Sequence, residues 1–335
     1  MVVYLTEPGT VLKKSGGKLV IEKTGAETID IPSSKVKAVV SFVGTNVTLP
    51  VWDFLLAKGA PLFRLSAGGK CIGCLESVEA YCMEKQALQF ELSGDRDFCL
   101  AMSKKVVLGK VSNMLMVLRR LNNIYAMAAN KDYFIAPYIA KIEAASSVSQ
   151  LLGYEGVVSR YFLEFFSSTV IKEFSFSGRS KQPALDPFNS LLNFGFFIFR
   201  NELYIALKSQ GFSPYIGFLH KIKNQHMALT SDLIEEWRAL IMEAILILVN
   251  NSAFKLSDFE RDASSGAVFL TRSAVRIFIK CFEGLLKRED YYVSDKKAVN
   301  VREAICCQVN SLTKVFERKD PASYLPVTAG KVRVA

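Results

Sequence analysis

The sequence predicts an α+β protein in which a small β-rich N-terminal domain precedes a larger, all-α C-terminal domain. The chain has 335 residues, more than the roughly 250–300 residues that a single core normally holds. Its first part consists of short β-rich runs punctuated by glycine and proline, whereas long runs of helical periodicity start near Ala87. We expect residues 1–85 to form the β domain with a short linker, residues 86–320 the α domain, and residues 321–335 a loose tail.

Six short runs in the N-terminal domain favour strands, because β-branched and aromatic residues partly alternate with polar ones. They are residues 2–5, 17–22, 27–31, 37–42, 61–65 and 70–75. A helix-like run at 50–58 interrupts them. Cys71 and Cys74 form a lone CxxC pair in the last strand. A structural zinc site needs a second pair of ligands, so small buried strand residues are the simpler interpretation and a zinc or redox site is the alternative.

Long apolar-periodic runs predict the helices of the second domain. They cover residues 97–123, 141–167, 187–209, 232–250 and 271–287. Asp186 followed by Pro187 predicts a helix start, with an acidic N-cap and proline at the first helical position.

The composition argues against a membrane or secreted protein. Half of the residues are hydrophobic, yet no run approaches the roughly 18 uninterrupted apolar residues that a membrane span needs. The start MVVYLTEPG has no basic segment of the kind that begins a signal peptide. Seven cysteines without a framework-like spacing suit a reducing compartment. We therefore expect a cytoplasmic protein.

The net charge is +10, from 42 basic and 32 acidic residues. Such an excess favours a polyanionic partner, because phosphates attract clustered cations. Many basic proteins bind no polyanion, so charge alone leaves the partner open.

Glu155 falls within the apolar stripe of the predicted helix 149–166 instead of on its polar face. A buried carboxylate must be protonated, paired with a positive side chain or bound to a cation. Pairing with Arg160 or another arginine is the simplest of these. Gly153 and Gly156 lower helix propensity on either side of Glu155, which indicates that another backbone or a ligand approaches there.

Both histidines of the chain, His220 and His226, lie just upstream of an acidic helix start that contains Asp232 and Glu235. Asp232 and Glu235 share a helix face, and His220 could fold back onto it. With Glu155, these side chains form a set that suits Mn²⁺ or Mg²⁺. The alternatives are a capping box, with Asp232 as the N-cap, and a core histidine at position 220.

Basic residues surround this set, an arrangement that suits phosphodiester chemistry because charge developing on phosphoryl oxygens must be neutralised. These basic residues are Arg160, Arg179, Lys181, Lys221 and Lys223.

Four ordered motifs resemble the family of CRISPR-associated protein one, the integrase subunit of the spacer-acquisition complex. They are Leu152-Gly-Tyr-Glu-Gly156 with Arg160, then Gly178-Arg179, then the segment from Asp186 to Gly195, and Gly217-Phe-Leu-His220 with Asp232 to Arg238. The match spans nearly the whole chain and is weakest after about residue 290.

The resemblance implies a metal site at Glu155, His220 and Glu235, with Mn²⁺ or Mg²⁺ as cofactor and Asp232 as a further catalytic acid. The third ligand is often aspartate in relatives and is glutamate here. Relatives often have Gly-Arg where this chain has Gln225-His226. His226 is therefore expected to have a substrate or structural role instead of binding the metal. The resemblance makes the following residues candidates for DNA binding: Arg160, Arg179, Lys181, Lys221, Lys223, His226 and Arg238.

The implied function is the insertion of short DNA fragments into a CRISPR array by transesterification of a 3′-hydroxyl onto a phosphodiester. The resemblance also implies a homodimer formed through the β domain, CRISPR-associated protein two as a bridging subunit, and double-stranded or branched DNA as substrate. Two alternatives are a non-catalytic DNA-binding scaffold and a metal-dependent phosphodiesterase acting on other substrates.

Overall fold

The computed structural model describes residues 1–66, 71–78, 82–125, 132–174, 176–181, 183–292 and 298–329. Contacts within the chain divide it into two units. One unit contains Met1–Tyr81 and Leu270–Phe278, and the other contains Cys82–Phe269 and Ile279–Ala335. The division differs from the single boundary predicted after residue 85, because a short segment near residue 270 belongs to the N-terminal unit.

Two four-stranded sheets and one helix form most of the first unit. Its strands are β1 (Val2–Leu5), β2 (Val11–Ser15), β3 (Lys18–Glu22), β4 (Ile29–Pro32), β5 (Ala38–Phe42), β6 (Asn46–Val47), β7 (Leu62–Leu65) and β8 (Cys71–Leu75), and its helix is α1 (Leu49–Lys58). One sheet has the order β1-β5-β7-β8, and the other has the order β4-β3-β2-β6. The N-terminal β fold is therefore confirmed, although the sequence analysis missed β2 and β6.

Both sheets and α1 contribute to one apolar core. Leu12 and Leu19 from the second sheet, Val39 from the first, and Leu55 from α1 are fully buried in it. β2 escaped prediction because its residues after Leu12 are two lysines and a serine that face solvent, so its apolar alternation is too short to recognise. Cys74 is exposed, so the expectation of buried cysteines in β8 is wrong for that residue.

Helices dominate the second unit, and a few short strands accompany them. The helices are α2 (Met83–Gly94), α3 (Arg96–Tyr125), α4 (Asp132–Glu143), α5 (Val148–Ser167), α6 (Pro187–Ser209), α7 (Ala228–Ile234), α8 (Arg238–Asn250), α9 (Arg272–Leu286, which crosses the division between the units) and α10 (Val301–Arg318). The strands are β9 (Phe259–Arg261), β10 (Val268–Leu270), β11 (Glu289–Tyr292), β12 (Val299–Asn300) and β13 (Thr328–Ala329).

The start of α6 was predicted correctly from its capping side chain, whereas the run expected over 232–250 begins earlier, at Ala228, and is divided into α7 and α8. Asp186 caps α6, and its carboxylate accepts the backbone N–H of Asn189 at 2.7 Å. The single run expected over 141–167 is two helices, because α4 ends at Glu143 and Ser147 caps α5. Helices α2 and α10 have no counterpart among the predicted helical runs.

The segment after α10 differs from the loose tail expected for residues 321–335. Tyr324, Val327 and Ala329 are fully buried, and the last of these lies in β13. Residues 330–335 lie outside the described part of the chain. The segment is held because Asn113 of α3 donates to the carbonyl of Val327 at 2.8 Å and accepts the N–H of Ala329 at 3.0 Å.

Among the described residues, no helix is both long enough and apolar enough to cross a membrane.

Candidate metal centre

Helix α3 lies unusually close to the tight turn Glu235–Trp237 that joins α7 to α8. A Cβ atom added to Gly109 would lie 2.8 Å from Cβ of Pro326 and 3.1 Å from Cγ of Glu236. Glycine at this position therefore allows a close approach that a larger residue would prevent. The approach brings the neighbouring residue on α3, Lys110, against the turn that carries Glu235.

Lys110 lies between the carboxylates of Glu155 and Glu235. Its ammonium donates to Oε1 of Glu155 and, at 2.6 Å, to Oε2 of Glu235. Oε1 of Glu155 also accepts a hydrogen bond from the Ser159 hydroxyl at 2.5 Å. Glu155 is partly buried and paired with a positive side chain, which is one of the three states that the sequence left open. The partner is a lysine, and Arg160 instead approaches Glu164, at 3.9 Å.

Glu235 is buried, and its charge is stabilised from two directions. Oε1 accepts a hydrogen bond from Nε of Arg238 at 2.7 Å, while Oε2 accepts from Lys110. Burial raises the pKa of this carboxyl, but the two cations outweigh burial and lower the pKa to about 2. Glu235 is therefore ionised at neutral pH and able to bind a cation. Arg238, a predicted DNA-binding residue, pairs with an acid of the protein itself.

Asp232 organises the loop that carries His220. Its Oδ2 accepts the backbone N–H groups of Phe218 and Leu219 at 2.6 and 3.0 Å, and its Oδ1 accepts the N–H of His220 at 2.8 Å. The capping-box alternative for Asp232 is wrong, because α7 starts four residues earlier at Ala228 and buries Asp232 within the helix. The carboxylate caps the loop instead of its own helix.

One nitrogen of the His220 ring is paired with Asp232, and the other nitrogen faces Glu235. Nδ1 lies 2.7 Å from Oδ1 of Asp232, and Nε2 lies 4.0 Å from Oε1 of Glu235. The predicted return of His220 to the acidic face is thus confirmed. A metal-bound histidine commonly pairs its second ring nitrogen with a carboxylate in this way.

His226 lies next to His220, with the ring centroids 5.8 Å apart in an edge-to-face arrangement. Partial burial, followed by the proximity of His220, lowers the pKa of His226. The role of His226 in substrate binding stays a prediction.

These donors suit a hard divalent ion such as Mn²⁺ or Mg²⁺, which prefers carboxylate oxygen and accepts an imidazole nitrogen. Within the described residues, no three acidic, histidine or cysteine side chains form a ready ligand set. Glu155 and Glu235 instead meet through the ammonium of Lys110, which is itself a cation bound by both. The pair therefore binds positive charge, and Glu155, Glu235 and Nε2 of His220 are the groups that would hold a metal ion.

Arg179 and Arg238 lie on one aromatic ring next to this site. Their guanidinium groups lie 5.1 and 5.3 Å from the ring centroid of Phe196. Asn189 and Asn193 of α6 accept hydrogen bonds from Arg179 at 2.6 and 2.8 Å. Burial, and then the nearby charge of Arg238, lower the pKa of Arg179 to about 10. The two side chains are thus fixed in position as a compact patch of positive charge.

The remaining predicted DNA-binding side chains lie at the surface. Arg160, Lys181, Lys221 and Lys223 are exposed. Partial burial and the charges of Arg238, Arg179 and Lys110 lower the pKa of Lys181, whereas Glu235 acts in the opposite direction. Lys181 therefore lies within the electrostatic reach of the candidate metal centre.

The approach of a second backbone to Gly153 and Gly156 was a wrong prediction. A Cβ atom added to either glycine would meet no described atom within 4 Å. Among the described residues, the helix surface at these two glycines is open, and the approach of a ligand there stays a prediction.

Lys110 and Glu236 were missed by the sequence analysis. Lys110 stands next to the buried residues Val106, Val107 and Val111, so a charge on the buried face of α3 was the available signal. Glu236 follows Glu235 directly but points into the core, where Tyr324 and the N–H of Val327 each donate to it at 2.7 Å. The local sequence does not indicate which of two adjacent glutamates pairs with cations and which is buried among neutral groups.

Comparison with known proteins identifies the family. The family model described as "CRISPR associated protein Cas1" matches residues 3–284. A Mycobacterium tuberculosis protein named CRISPR-associated endonuclease Cas1 is 25% identical over 327 residues, which are 97% of this chain and 96% of that protein.

Two solved structures share the fold. A casposase bound to integration product matches with a TM-score of 0.83 and 24% identity, over 95% of this chain and 91% of that chain. A chain of a Cas6-RT-Cas1–Cas2 complex matches with a TM-score of 0.79 and 20% identity, over 97% of this chain and 36% of that chain. Because the family model spans most of the sequence, including Glu155, His220, Asp232 and Glu235, the chain belongs to the CRISPR-associated Cas1 family.

Proposed function

We propose that this protein is a metal-dependent DNA integrase and endonuclease that inserts short DNA fragments into a CRISPR array. In the reaction, a 3′-hydroxyl of the incoming fragment attacks a phosphodiester of the array. A new phosphodiester forms, and the bond to the former 3′ oxygen of the array breaks. The family assignment and the name of the Mycobacterium tuberculosis relative, an endonuclease, support this reaction class.

One observation carries the proposal: two carboxylates from distant parts of the sequence share one cation, and an imidazole nitrogen faces the same group. Glu155 and Glu235 are 80 residues apart in the chain, since 235 − 155 = 80, yet both accept hydrogen bonds from the Lys110 ammonium. Nε2 of His220 lies 4.0 Å from Glu235. An imidazole nitrogen that faces the carboxylate pair favours a metal site over a plain ion pair.

The side chains of the site have separate roles. Glu155, Glu235 and Nε2 of His220 would hold the ion, and Asp232 orients the His220 ring through Nδ1. A bound Mn²⁺ or Mg²⁺ would polarise the scissile phosphate and stabilise negative charge on the attacking and leaving oxygens.

Positive side chains next to the ion site position the DNA backbone. Arg179 is fixed by α6 and lies over Phe196, which makes it a rigid contact for a phosphate group. Exposed Lys181, Lys221, Lys223 and Arg160 supply mobile contacts that neutralise phosphates without reading base sequence. The net charge of +10 is consistent with such a substrate.

The protein acts in the cytoplasm as a homodimer formed through its β unit, with CRISPR-associated protein two bridging two dimers. The similarity of this chain to part of a Cas6-RT-Cas1–Cas2 complex supports the second partner. The similarity to a casposase bound to integration product supports an integration reaction, and double-stranded or branched DNA is the substrate that we propose.

The test is strand transfer of a short duplex with free 3′-hydroxyls into a supercoiled plasmid that carries a leader and a repeat. The wild type, with the bridging subunit and Mn²⁺ or Mg²⁺, should form joined product. Glu155→Gln and His220→Ala should abolish joining while the proteins remain folded, and a chelator should abolish joining by the wild type.

The rival explanation is that Glu155 and Glu235 only neutralise Lys110 in a DNA-binding scaffold. That explanation predicts that Glu155→Gln and His220→Ala bind and process DNA as the wild type does. It also predicts that a chelator changes nothing.

A further inference from the structure

Lys110 places a positive charge from inside the protein at the point where Glu155 and Glu235 meet. The residue is 5% exposed, so its ammonium is largely removed from water. It donates to Oε1 of Glu155 and to Oε2 of Glu235, the latter at 2.6 Å. An ammonium in such surroundings is stable only with carboxylates beside it, and the carboxylates in turn depend on the ammonium.

The two carboxylates have other partners besides Lys110. Oε1 of Glu155 also accepts from Ser159, and Oε1 of Glu235 accepts from Arg238 at 2.7 Å. A divalent ion held by both carboxylates would lie close to the Lys110 ammonium, because that ammonium already contacts both of them. The ammonium and a divalent ion at the same two carboxylates would repel each other strongly, and this repulsion is greater where water is excluded.

We propose that Lys110 is a built-in competitor of the divalent ion: its ammonium holds Glu155 and Glu235 together before the ion binds, and the ion must displace it. This inference rests on the metal site of the proposed function. The displacement exchanges one cation for another, and Lys110 keeps its proton throughout. The competition lowers the affinity for the ion and keeps the ion-free site folded.

Calorimetric titration with Mn²⁺, in the absence of DNA, tests the competition. Lys110→Gln and Lys110→Met remove the charge, so each should tighten the apparent Kd for Mn²⁺ by about tenfold or more, which corresponds to about 1.4 kcal/mol. Lys104→Gln is the matched control on the same helix, because the Lys104 ammonium donates to the carbonyl of Glu143, 2.7 Å away. It should bind Mn²⁺ as the wild type does.

The titration separates this inference from the proposed function. If the wild type binds Mn²⁺ and both neutral variants bind it equally or more weakly, the competition is refuted while the metal site stands. If the wild type and both variants fail to bind Mn²⁺ at millimolar concentration, the metal site itself is wrong, and the inference falls with it.

Thermal unfolding provides a second readout that needs no binding measurement. Without metal, Lys110→Gln should unfold at a lower temperature than the wild type, because two neighbouring carboxylates lose their shared cation. Mn²⁺ should raise the unfolding temperature of the variant more than that of the wild type. A destabilised variant that Mn²⁺ does not rescue contradicts the proposal.

Lys110→Arg tests whether charge is responsible. The guanidinium keeps the positive charge, so this variant should bind Mn²⁺ no more tightly than the wild type does. Tightening equal to that of Lys110→Gln would overturn the electrostatic argument.

Discussion

His220 and Asp232 are joined both through the ring and through the backbone. Oδ1 of Asp232 lies 2.7 Å from Nδ1 of the His220 ring and accepts the backbone N–H of His220 at 2.8 Å. The other oxygen of the carboxylate accepts the N–H groups of Phe218 and Leu219. One carboxylate thus fixes both the backbone of the loop and the orientation of the His220 ring. Nε2 is therefore the nitrogen that faces Glu235. We therefore expect Asp232 to act through His220, as a positioning residue.

We expect Asp232→Asn to weaken Mn²⁺ binding by about 10-fold to 100-fold, as loss of a carboxylate behind a ligating histidine commonly does. The amide nitrogen of asparagine cannot accept the N–H groups that the carboxylate now accepts, so the variant should also lose about 1–3 kcal/mol of unfolding free energy. Calorimetric Mn²⁺ titration and urea unfolding measure the two effects.

Asp186→Asn is a control of the same chemistry, because Asp186 caps α6 and asparagine is an equally good N-cap. It should unfold much as the wild type does. Unchanged Mn²⁺ affinity in Asp232→Asn would contradict the positioning role.

Gly217 and Gly153 form a matched pair for glycine-to-alanine substitution. A Cβ atom at position 217 would lie 2.6 Å from Oδ2 of Asp232 and 2.8 Å from the carbonyl carbon of Ala228, whereas one at position 153 would meet no described atom within 4 Å. Gly217→Ala should lose about 1–3 kcal/mol of unfolding free energy through overpacking. Gly153→Ala should gain up to about 1 kcal/mol from helix propensity.

Urea unfolding of both proteins measures the difference. Equal stabilities would show that the loop carrying His220 does not depend on its close contact with α7.

The buried carboxyl group of Glu236 should make the unfolding free energy depend on pH. Burial raises its pKa to about 8, from an ordinary value of 4.5, although hydrogen bonds from Tyr324, Val327 and Gln308 act in the opposite direction. Between these two values the folded state holds a proton that the unfolded state has lost. The contribution of Glu236 to stability is therefore fully present below about pH 4.5 and is lost as the pH rises towards 8, by up to about 1.4 kcal/mol for each pH unit.

Glu236→Gln should remove this dependence, because the amide is neutral at every pH and similar in shape. The measurement is the unfolding free energy of both proteins, without metal, from pH 5 to 9. The variant should become increasingly more stable than the wild type as the pH rises. Parallel pH profiles would mean that Glu236 is ionised in the folded protein.

The segment after α10 should contribute to the metal site although it lies beyond the region that the family model matches. Asn113 donates to the carbonyls of Glu236 and Val327, each at 2.8 Å, and accepts the N–H of Ala329. Asn113→Ala should lose about 2–4 kcal/mol of unfolding free energy, because it leaves buried backbone groups unpaired. It should also weaken Mn²⁺ binding, because the turn that carries Glu235 loses this support.

Asn122→Ala, on the same helix, is the control. The side-chain oxygen of Asn122 is buried without a hydrogen-bond partner among the described residues, so its removal should cost little. Similar losses of unfolding free energy in the two variants would show that the general packing of α3, and not the contact with the C-terminal segment, causes the loss.

Much of the fold and most of the site could be predicted because their signals are local. Short alternating runs predicted the strands, and the acidic cap before Pro187 predicted the start of α6. The carboxylate of Glu155 in an apolar stripe predicted a positive partner. The return of His220 to Asp232 followed from their spacing, although the reason for it, a carboxylate that caps a loop, is a tertiary feature.

What escaped prediction depends on residues that are distant in sequence. Lys110 belongs to the site only because Gly109 lets α3 approach the turn at Glu235. The burial of Tyr324 depends on Glu236, which is 88 residues away. Neither pairing has a periodic or local sequence signature. The C-terminal segment was therefore expected to be loose, and Lys110 was not distinguished from the other lysines of α3.

The most direct test of the metal centre is the position of Mn²⁺ in crystals of the wild type grown or soaked with the ion, located by anomalous scattering. The account predicts an anomalous peak coordinated by Glu155, Glu235 and Nε2 of His220, with the Lys110 ammonium moved away from the two carboxylates. A peak elsewhere, or Lys110 still bridging Glu155 and Glu235 in crystals that hold Mn²⁺ at other sites, would contradict it.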